Sequence, residues 1–337
     1  MKAVGYRQSF PIREPESLID TQIPDPEPMP RDLLVRVRAV AVNPIDTKIR
    51  RRQEPPNGDF QVLGWDTVGT VIETGAEVTL FKSGDKVWYS GSLTRPGSNS
   101  ELHTVDERIA ALKPETIDDA HAAALPLTGL TAWELLFERL KIAPGKQHRD
   151  ETLLIVGAAG GVGSILIQLA RRLTGMTVIG TASRPETREW AKSMGTHHVI
   201  DHSLPLSDEL LRIGIPKVTH AASLTHTDVH FPELVKSLSP HGKIALIDDP
   251  GPIDVNLLKQ KSISLHWEAM FTKILFETPD MISHHRILCE LADLVDEGMI
   301  KSTFHDHFGV ISAENLKRAH ERIESGTCIG KIVLEHF

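Results

Sequence analysis

With 337 residues, 40% of them apolar and 24% charged, the chain is long enough for two domains and has the make-up of a soluble globular protein. A net charge of -8 excludes a general nucleic-acid or membrane-surface binder. Cys289 and Cys328 are its only cysteines, which excludes a disulfide framework and a cysteine-rich zinc site.

The start, MKAVGYRQSF, lacks a secretory apolar core. Residues 1 to about 122 read as β-rich. Leu33 to Val42 and Thr67 to Glu73 alternate between turn residues, and Lys86 to Tyr89 follows a Gly84-Asp85 turn. Glycines and prolines recurring along this part predict a small barrel or sandwich. From Ile117 to Leu140 the pattern is helical, with interruptions expected at Pro126 and Gly129. Leu153 to Ala170 carries no charge, but its glycine cluster makes it strand plus helix rather than a membrane span. Strands and helices then alternate, which predicts a parallel sheet covered on both faces. The expected strands are Thr177 to Thr181, His198 to Asp201, Lys217 to Ala222, Lys243 to Asp248 and Ile263 to His266. Glu186 to Met194 is a helix between Pro185 and Gly195. Pro279 to Glu297 is an amphipathic helix closed by Gly298, Ser312 caps another, and Lys331 to Glu335 is a final strand.

The richest stretch is Glu151 to Arg188. An apolar strand runs into Gly157-Ala158-Ala159-Gly160-Gly161-Val162-Gly163, and Ile165, Leu166, Leu169 and Leu173 then recur at helical spacing. Strand, glycine turn, helix and second strand form a dinucleotide-binding unit. Glycines admit the pyrophosphate backbone, and N–H groups at the helix start hold its charge. Ala158 takes the first glycine position of the usual pattern, while Gly160 and Gly163 keep the others. About 20 residues on, where an acid would hold the ribose 2′-hydroxyl of NAD, stand Ser183 and Arg184, with Arg188 a turn later. Guanidinium groups match a phosphate with paired, charge-assisted hydrogen bonds, which points to NADPH. The plainer reading of both is solvated loop residues.

Val42-Asn43-Pro44-Ile45-Asp46, Leu63-Gly64-Trp65-Asp66-Thr67-Val68-Gly69, Gly84-Asp85-Lys86-Val87 and Ala158 to Gly163 together resemble the medium-chain dehydrogenase/reductase superfamily over nearly the whole chain. Within it the chain is similar to quinone oxidoreductases, and nearest to the zinc-type alcohol dehydrogenase-like branch on Ser264-Leu265-His266-Trp267-Glu268 and Gly330 to Leu334. The resemblance implies an α/β fold in which a Rossmann doubly wound parallel sheet is inserted into a GroES-like β-rich catalytic domain. It places the GroES-like part at 1–122, the Rossmann domain at 123–270 and the return to the catalytic domain at 271–337. It implies NADPH-dependent reduction of a quinone, enone or aldehyde in an interdomain cleft, by a homodimer that pairs edge strands, here Ile263 to His266; the composition by itself reads as that of a cytoplasmic protein. The partner is a small-molecule carbonyl or quinone, with no nucleic acid and no membrane.

Zinc-dependent members have Cys, His and Cys where this chain has Asn43, Trp65 and a position near Leu127. None of these replacements binds zinc as thiolate or imidazole, and the single carboxylate of Asp66 does not make a site. A zinc-independent enzyme is expected. Donors aimed at the carbonyl oxygen would then stabilise its developing charge. By resemblance Asn43 and Asp46 lie near nicotinamide and substrate, though Asn-Pro-x-Asp is also ordinary turn chemistry. Lys48 and Tyr89 are proton-donor candidates, each with a plainer reading as a solvated or packed side chain. Thr128 and Lys331 are cofactor candidates by resemblance. Ala222, Ser223 and Ile247 are candidates because they end strands. Trp267 and Phe271 are read as pocket walls or core. His305 and His307 share a strand face and His284-His285 a helix, but neither pair has a third ligand at a recognised spacing. Two rival readings remain: a zinc-dependent alcohol dehydrogenase with rearranged ligands, and a non-catalytic NADPH-binding protein.

Overall fold

A computed structural model describes all 337 residues, in two compact units: Met1–Leu130 with Phe271–Phe337, and Thr131–Met270. The first unit lays down β1 (Lys2–Tyr6), β2 (Ile19–Gln22), β3 (Asp32–Val42), β4 (Gln61–Val62), β5 (Thr67–Thr74), β6 (Lys86–Tyr89), β7 (Leu102–Asp106) and β8 (Ala110–Leu112). β3 is its spine. Arg36 and Arg38 face outward between buried neighbours, giving the alternation of a sheet with one wet face. Its last four residues, Ala39 to Val42, are all buried, because β3 there lies between β5 and a strand from the far end of the chain.

Helix α1 (Pro44–Arg52) follows at once. Asn43 is its N-cap, Pro44 opens it, and Asn43 and Asp46 form a reciprocal capping box. α2 (Asp119–Ala123) and α3 (Pro126–Trp133) come next. The helical stretch is interrupted before Pro126, which opens α3, but Gly129 does not interrupt it. It lies inside α3, where an added Cβ would fall 2.7 Å from the Leu291 side chain, so close packing explains the glycine. The chain continues as a π-helical turn, Glu134–Arg139.

In the second unit the elements are β9 (Thr152–Val156), α4 (Gly161–Leu173), β10 (Thr177–Thr181), α5 (Pro185–Met194), β11 (His198–Ile200), α6 (Leu206–Arg212), β12 (Val218–Ser223), α7 (Thr227–Ser237), β13 (Leu238–Leu246) and β14 (Ser264–Trp267). The strands form one parallel sheet in the order β11-β10-β9-β12-β13-β14. That is the doubly wound order, with β9 and β12 at the point where the winding reverses. The apolar run of β9 is buried on both faces, as a central parallel strand requires. Leu154, Val156, Ile179, Ala221, Ile244 and Phe231 share one core with Leu206 and Leu210 of α6.

The chain closes in the first unit with α8 (Thr272–Leu275), α9 (Ser283–Asp296), β15 (Phe304–His307), α10 (Ala313–Glu324) and β16 (Lys331–Glu335). Ser312 caps α10 by accepting the Asn315 N–H. β16 pairs antiparallel with the end of β3, completing a seven-stranded sheet beside the three-stranded β2-β1-β4. No helix is long and apolar enough to cross a membrane.

Candidate functional site

The nucleotide end of the second unit is built on the β9–α4 turn. Gly157 takes the left-handed conformation there (φ 84°), one residue before the position where the pattern put it. Ala158 is buried against Gly180 of β10, where a Cβ would fall 2.8 Å from the Ala158 methyl. The departure from glycine is thus matched by a glycine across the sheet. A Cβ on Gly163 would strike the carbonyl oxygens of Gly157 and Ala158 at 2.4 and 2.7 Å, which seats the helix directly on the strand. At Gly160 the nearest protein atom would be 3.5 Å away, so that side is open to a ligand. Gly160 is the N-cap of α4 and no side chain caps the helix, so the N–H groups of its first turn face whatever anion arrives. These residues fit a dinucleotide pyrophosphate.

The ribose end divides the expected residues. Ser183 and Arg184 are half-buried just beyond β10, Arg184 at the N-cap of α5 and 3.4 Å from Glu186. Arg188, expected on the phosphate, instead donates to the carbonyls of Ala182 (2.9 Å) and Val199 (3.3 Å). It braces the ends of β10 and β11. The Ser223 hydroxyl meets Thr227 Oγ1 at 2.7 Å, and Asp248 accepts the hydroxyl and N–H of the same Thr227. Ala222 is fully buried between β9 and β13, which closes its side chain to a ligand. Ile247 is half-buried just past β13.

In the first unit three of the expected site residues, Asn43, Asp46 and Lys331, come together, but around Asp66, which the sequence offered only as a lone carboxylate. Asp66 is fully buried, and its Oδ1 accepts the Leu127 N–H at 2.7 Å. Its Oδ2 accepts Asn43 Nδ2 and Lys331 Nζ, both at 2.8 Å. Lys331 also donates to the Val42 carbonyl at 3.1 Å and to Asn43 Oδ1. Burial pushes the Asp66 carboxyl up, while Lys331 and the Asn43 amide pull it down. Three donors on one carboxylate favour the ionised pair. Asn43 gives its other amide hydrogen to Ala41 O at 3.3 Å, and Asp46 Oδ2 accepts the Asn43 N–H at 2.8 Å. Burial raises Asp46 to about 7. Asn43, expected as a substrate donor, has its amide engaged by Asp66, Ala41 and Lys331, and Lys331, expected at the cofactor, is the ammonium of the same buried cluster.

Two more candidates are spoken for. The Tyr89 hydroxyl donates to His103 Nδ1 at 2.9 Å, since His103 Nε2 is occupied by donating to Pro96 O at 3.1 Å. Burial holds Tyr89 far above its ordinary range and lowers His103 to about 4, so this proton stays in place. Thr128 lies buried in α3 with its hydroxyl on the carbonyls of Ala124 and Leu125, both at 3.3 Å, back-bonded into its own helix. Lys48 is half-buried on α1.

The donor set does not fit zinc at the expected place. Trp65 uses its indole N–H on Ser92 O at 2.9 Å, Leu127 has an apolar side chain, and Asn43 is committed. No group of three or more His, Cys, Asp or Glu side chains is placed to hold a metal ion. His307 binds Glu335 at 3.0 Å, His305 pairs with Asp306 at 3.1 Å, and His285 meets Ala110 O at 2.7 Å. Of the proposed pocket walls, Phe271 is buried and Trp267 lies exposed on β14.

Residues 29–114 match the family model of the alcohol dehydrogenase GroES-like domain, and 161–275 that of the zinc-binding dehydrogenases. The chain is 38% identical to a zinc-type alcohol dehydrogenase-like protein of Staphylococcus aureus, over 99% of both chains. A crystal structure of a Rhizobium etli protein, described as a candidate zinc-dependent alcohol dehydrogenase, superposes with a TM-score of 0.96 at 50% identity, covering 100% of this chain and 98% of that one. Escherichia coli quinone oxidoreductase, solved with NADPH, gives 0.84 at 25% identity, covering 99% and 100%. The chain belongs to the medium-chain dehydrogenase/reductase superfamily. It is an oxidoreductase with a GroES-like domain and a Rossmann-type parallel sheet, of a family that uses a nicotinamide dinucleotide.

Proposed function

We propose that this protein is an NADPH-dependent, zinc-independent oxidoreductase whose substrates are quinones and, less readily, enones and aldehydes. The observation that carries the reading is the Asn43–Asp66–Lys331 cluster. Beside the positions where zinc-dependent relatives place ligands, Asn43 and the Leu127 N–H hold a buried Asp66 carboxylate that carries the Lys331 ammonium. A cation of the protein's own covalent structure already balances Asp66, and the neighbouring donors are used in holding it.

When bound, the reduced nicotinamide supplies a hydride, and solvent supplies the second proton of a hydroquinone. The chain's own residues bind and orient. Gly160 and the first turn of α4 take the pyrophosphate, while Ser183 and Arg184 favour a 2′-phosphate over a bare ribose. Asn43 and Thr128 give no free proton, because their donors are spent on fixed partners, and Asp46 holds the Asn43 N–H at the start of α1. Lys48 completes the set on α1. A site with so little general acid suits an acceptor whose reduced oxygen is weakly basic, which favours quinones over simple aldehydes. The NADPH-bound Escherichia coli relative supports the same cofactor and substrate class. We further propose a homodimer, formed through the open edge of β14.

The test is NADPH oxidation across quinones, enones and aldehydes, with NADH and a metal chelator as controls. Quinone turnover with NADPH that survives the chelator is expected, and Arg184→Asp should weaken NADPH about tenfold while sparing NADH. Equal use of NADH refutes the cofactor assignment. Stoichiometric zinc lost together with activity refutes zinc independence. Tight NADPH binding without turnover of any acceptor favours a non-catalytic nucleotide-binding protein.

A further inference from the structure

Three imidazoles gather beyond the C-terminal ends of β11 and β12. His202 follows β11 by two residues, His226 stands at the N-cap of α7 with φ 49°, and His230 lies one turn into that helix. The His202 and His230 rings meet edge-on with centroids 6.0 Å apart. His226 and Arg184 both lie close enough to His202 to oppose its protonation. His226 Nδ1 is tied to Thr225 Oγ1 at 2.8 Å, and the Thr225 methyl is what a Cβ on Gly157 would meet first, at 3.1 Å. The cluster therefore adjoins both the glycine turn and the residues proposed for the ribose.

His202 Nδ1 is sealed from solvent and has no hydrogen-bond partner. A shielded, unpaired ring nitrogen is costly in isolation and calls for an explanation. Burial first, then His226 and Arg184, hold His202 below its ordinary range, and Asp201 opposes them. Burial, His202 and His226 do the same to His230, opposed by Asp228 and Asp248. The donors do not close on a metal. What would relieve such a group of imidazoles beside a guanidinium is a compact anion that accepts several hydrogen bonds at once.

We propose that His202, His226 and His230 join Arg184 in a subsite for the 2′-phosphate of NADPH, and that imidazole takes up a proton as the phosphate arrives. This rests on the NADPH reading above and adds residues to it. Protonation charges the ring, so the free energy of phosphate binding includes proton uptake and its affinity rises as pH falls through the histidine range. Ligands without the 2′-phosphate gain nothing from the change.

The probes are 2′,5′-ADP and 5′-AMP, with NADPH and NADH as the full cofactors, titrated by calorimetry from about pH 8 down to about 6.5, where a phosphate with a second pKa of about 6 is still mostly dianionic. Wild-type affinity for 2′,5′-ADP is expected to tighten over that range with net proton uptake, while 5′-AMP stays flat. His202→Asn removes the titrating ring, and His226→Asn does so with a residue that tolerates its left-handed backbone. Each is expected to weaken 2′,5′-ADP about tenfold and to reduce the pH slope. In the unmutated protein, imidazole proton resonances should show the His202 pKa rising when 2′,5′-ADP binds, which needs no variant to fold. Equal loss of 2′,5′-ADP and 5′-AMP, or an unmoved His202 titration at saturation, overturns the subsite while leaving NADPH preference intact. A wild type that binds NADH as tightly as NADPH overturns the NADPH reading as well.

Discussion

Asp66 and Lys331 stand 265 positions apart in the chain and meet with almost no exposed surface. Two buried opposite charges gain little over well-packed apolar groups, but removing one strands the other. Lys331→Met is therefore expected to cost about 3–5 kcal/mol, because Asp66 is left with two neutral donors. Asp66→Leu should cost a similar amount by stranding the ammonium and the Asn43 amide. The double variant should lose less than the sum, with a coupling of about 2 kcal/mol in urea unfolding at neutral pH. Strictly additive losses would show that the pair does not stabilise the fold. Nothing in the local sequence announces this pair. Asn43 and Asp46 were legible as turn residues because a capping box is written within four positions, and they do cap α1. The partner that uses up the Asn43 amide comes from β16, which only the tertiary fold brings to β3.

At the scale of elements the same division holds. α5 was readable from Pro185 and Gly195, and α10 from Ser312, since helix ends carry their signals within a turn. Arg184 and Arg188 looked alike, yet the carbonyls left at the ends of β10 and β11 claim Arg188 alone. The π-helical turn Glu134–Arg139 was read simply as helix, because spacing does not reveal what it serves. It brings Glu134 beside Glu268, just past β14, with Arg139 donating to Glu268 at 2.8 Å. Burial first, then Glu134, raises the Glu268 carboxyl far above its ordinary range, and Arg139 only partly offsets this. The folded state thus binds a proton that the unfolded state releases in the usual carboxylate range. That contribution is complete at low pH and disappears as pH rises through the raised value. Asp46, raised to about 7, acts in the same direction. Thermal stability should therefore fall between about pH 6 and pH 9, and Glu268→Gln, which keeps a neutral side chain, should flatten the alkaline part of that fall. A melting curve for Glu268→Gln parallel to wild type across this range would rule the buried carboxyl out as its source.

For the molecule as a whole, the question is what the open side of β14 does. Its inner side is fully paired with β13 in parallel register, from Ser264 opposite Lys243 to Trp267 opposite Leu246. The Glu268 N–H continues that ladder to Leu246 O at 2.9 Å, so strand alternation turns the Leu265 and Trp267 N–H groups to the open side. An unprotected edge invites another strand, and proteins usually blunt it with charge or proline. Ser264, Leu265, His266 and Trp267 contain neither a lysine nor a proline, and Trp267 is 54% exposed. In the proposed homodimer a second copy would supply the complementary edge in antiparallel pairing about a twofold axis, which would double the six-stranded sheet to a continuous twelve. Leu265→Pro removes one outward donor and leaves the β13 ladder intact, since proline is tolerated at a sheet edge. By light scattering at micromolar concentration, wild type is expected at twice the chain mass and Leu265→Pro at the mass of one chain, with its melting curve still cooperative. A Leu265→Pro protein that stays dimeric would place the interface elsewhere, and a monomeric wild type would remove the dimer altogether.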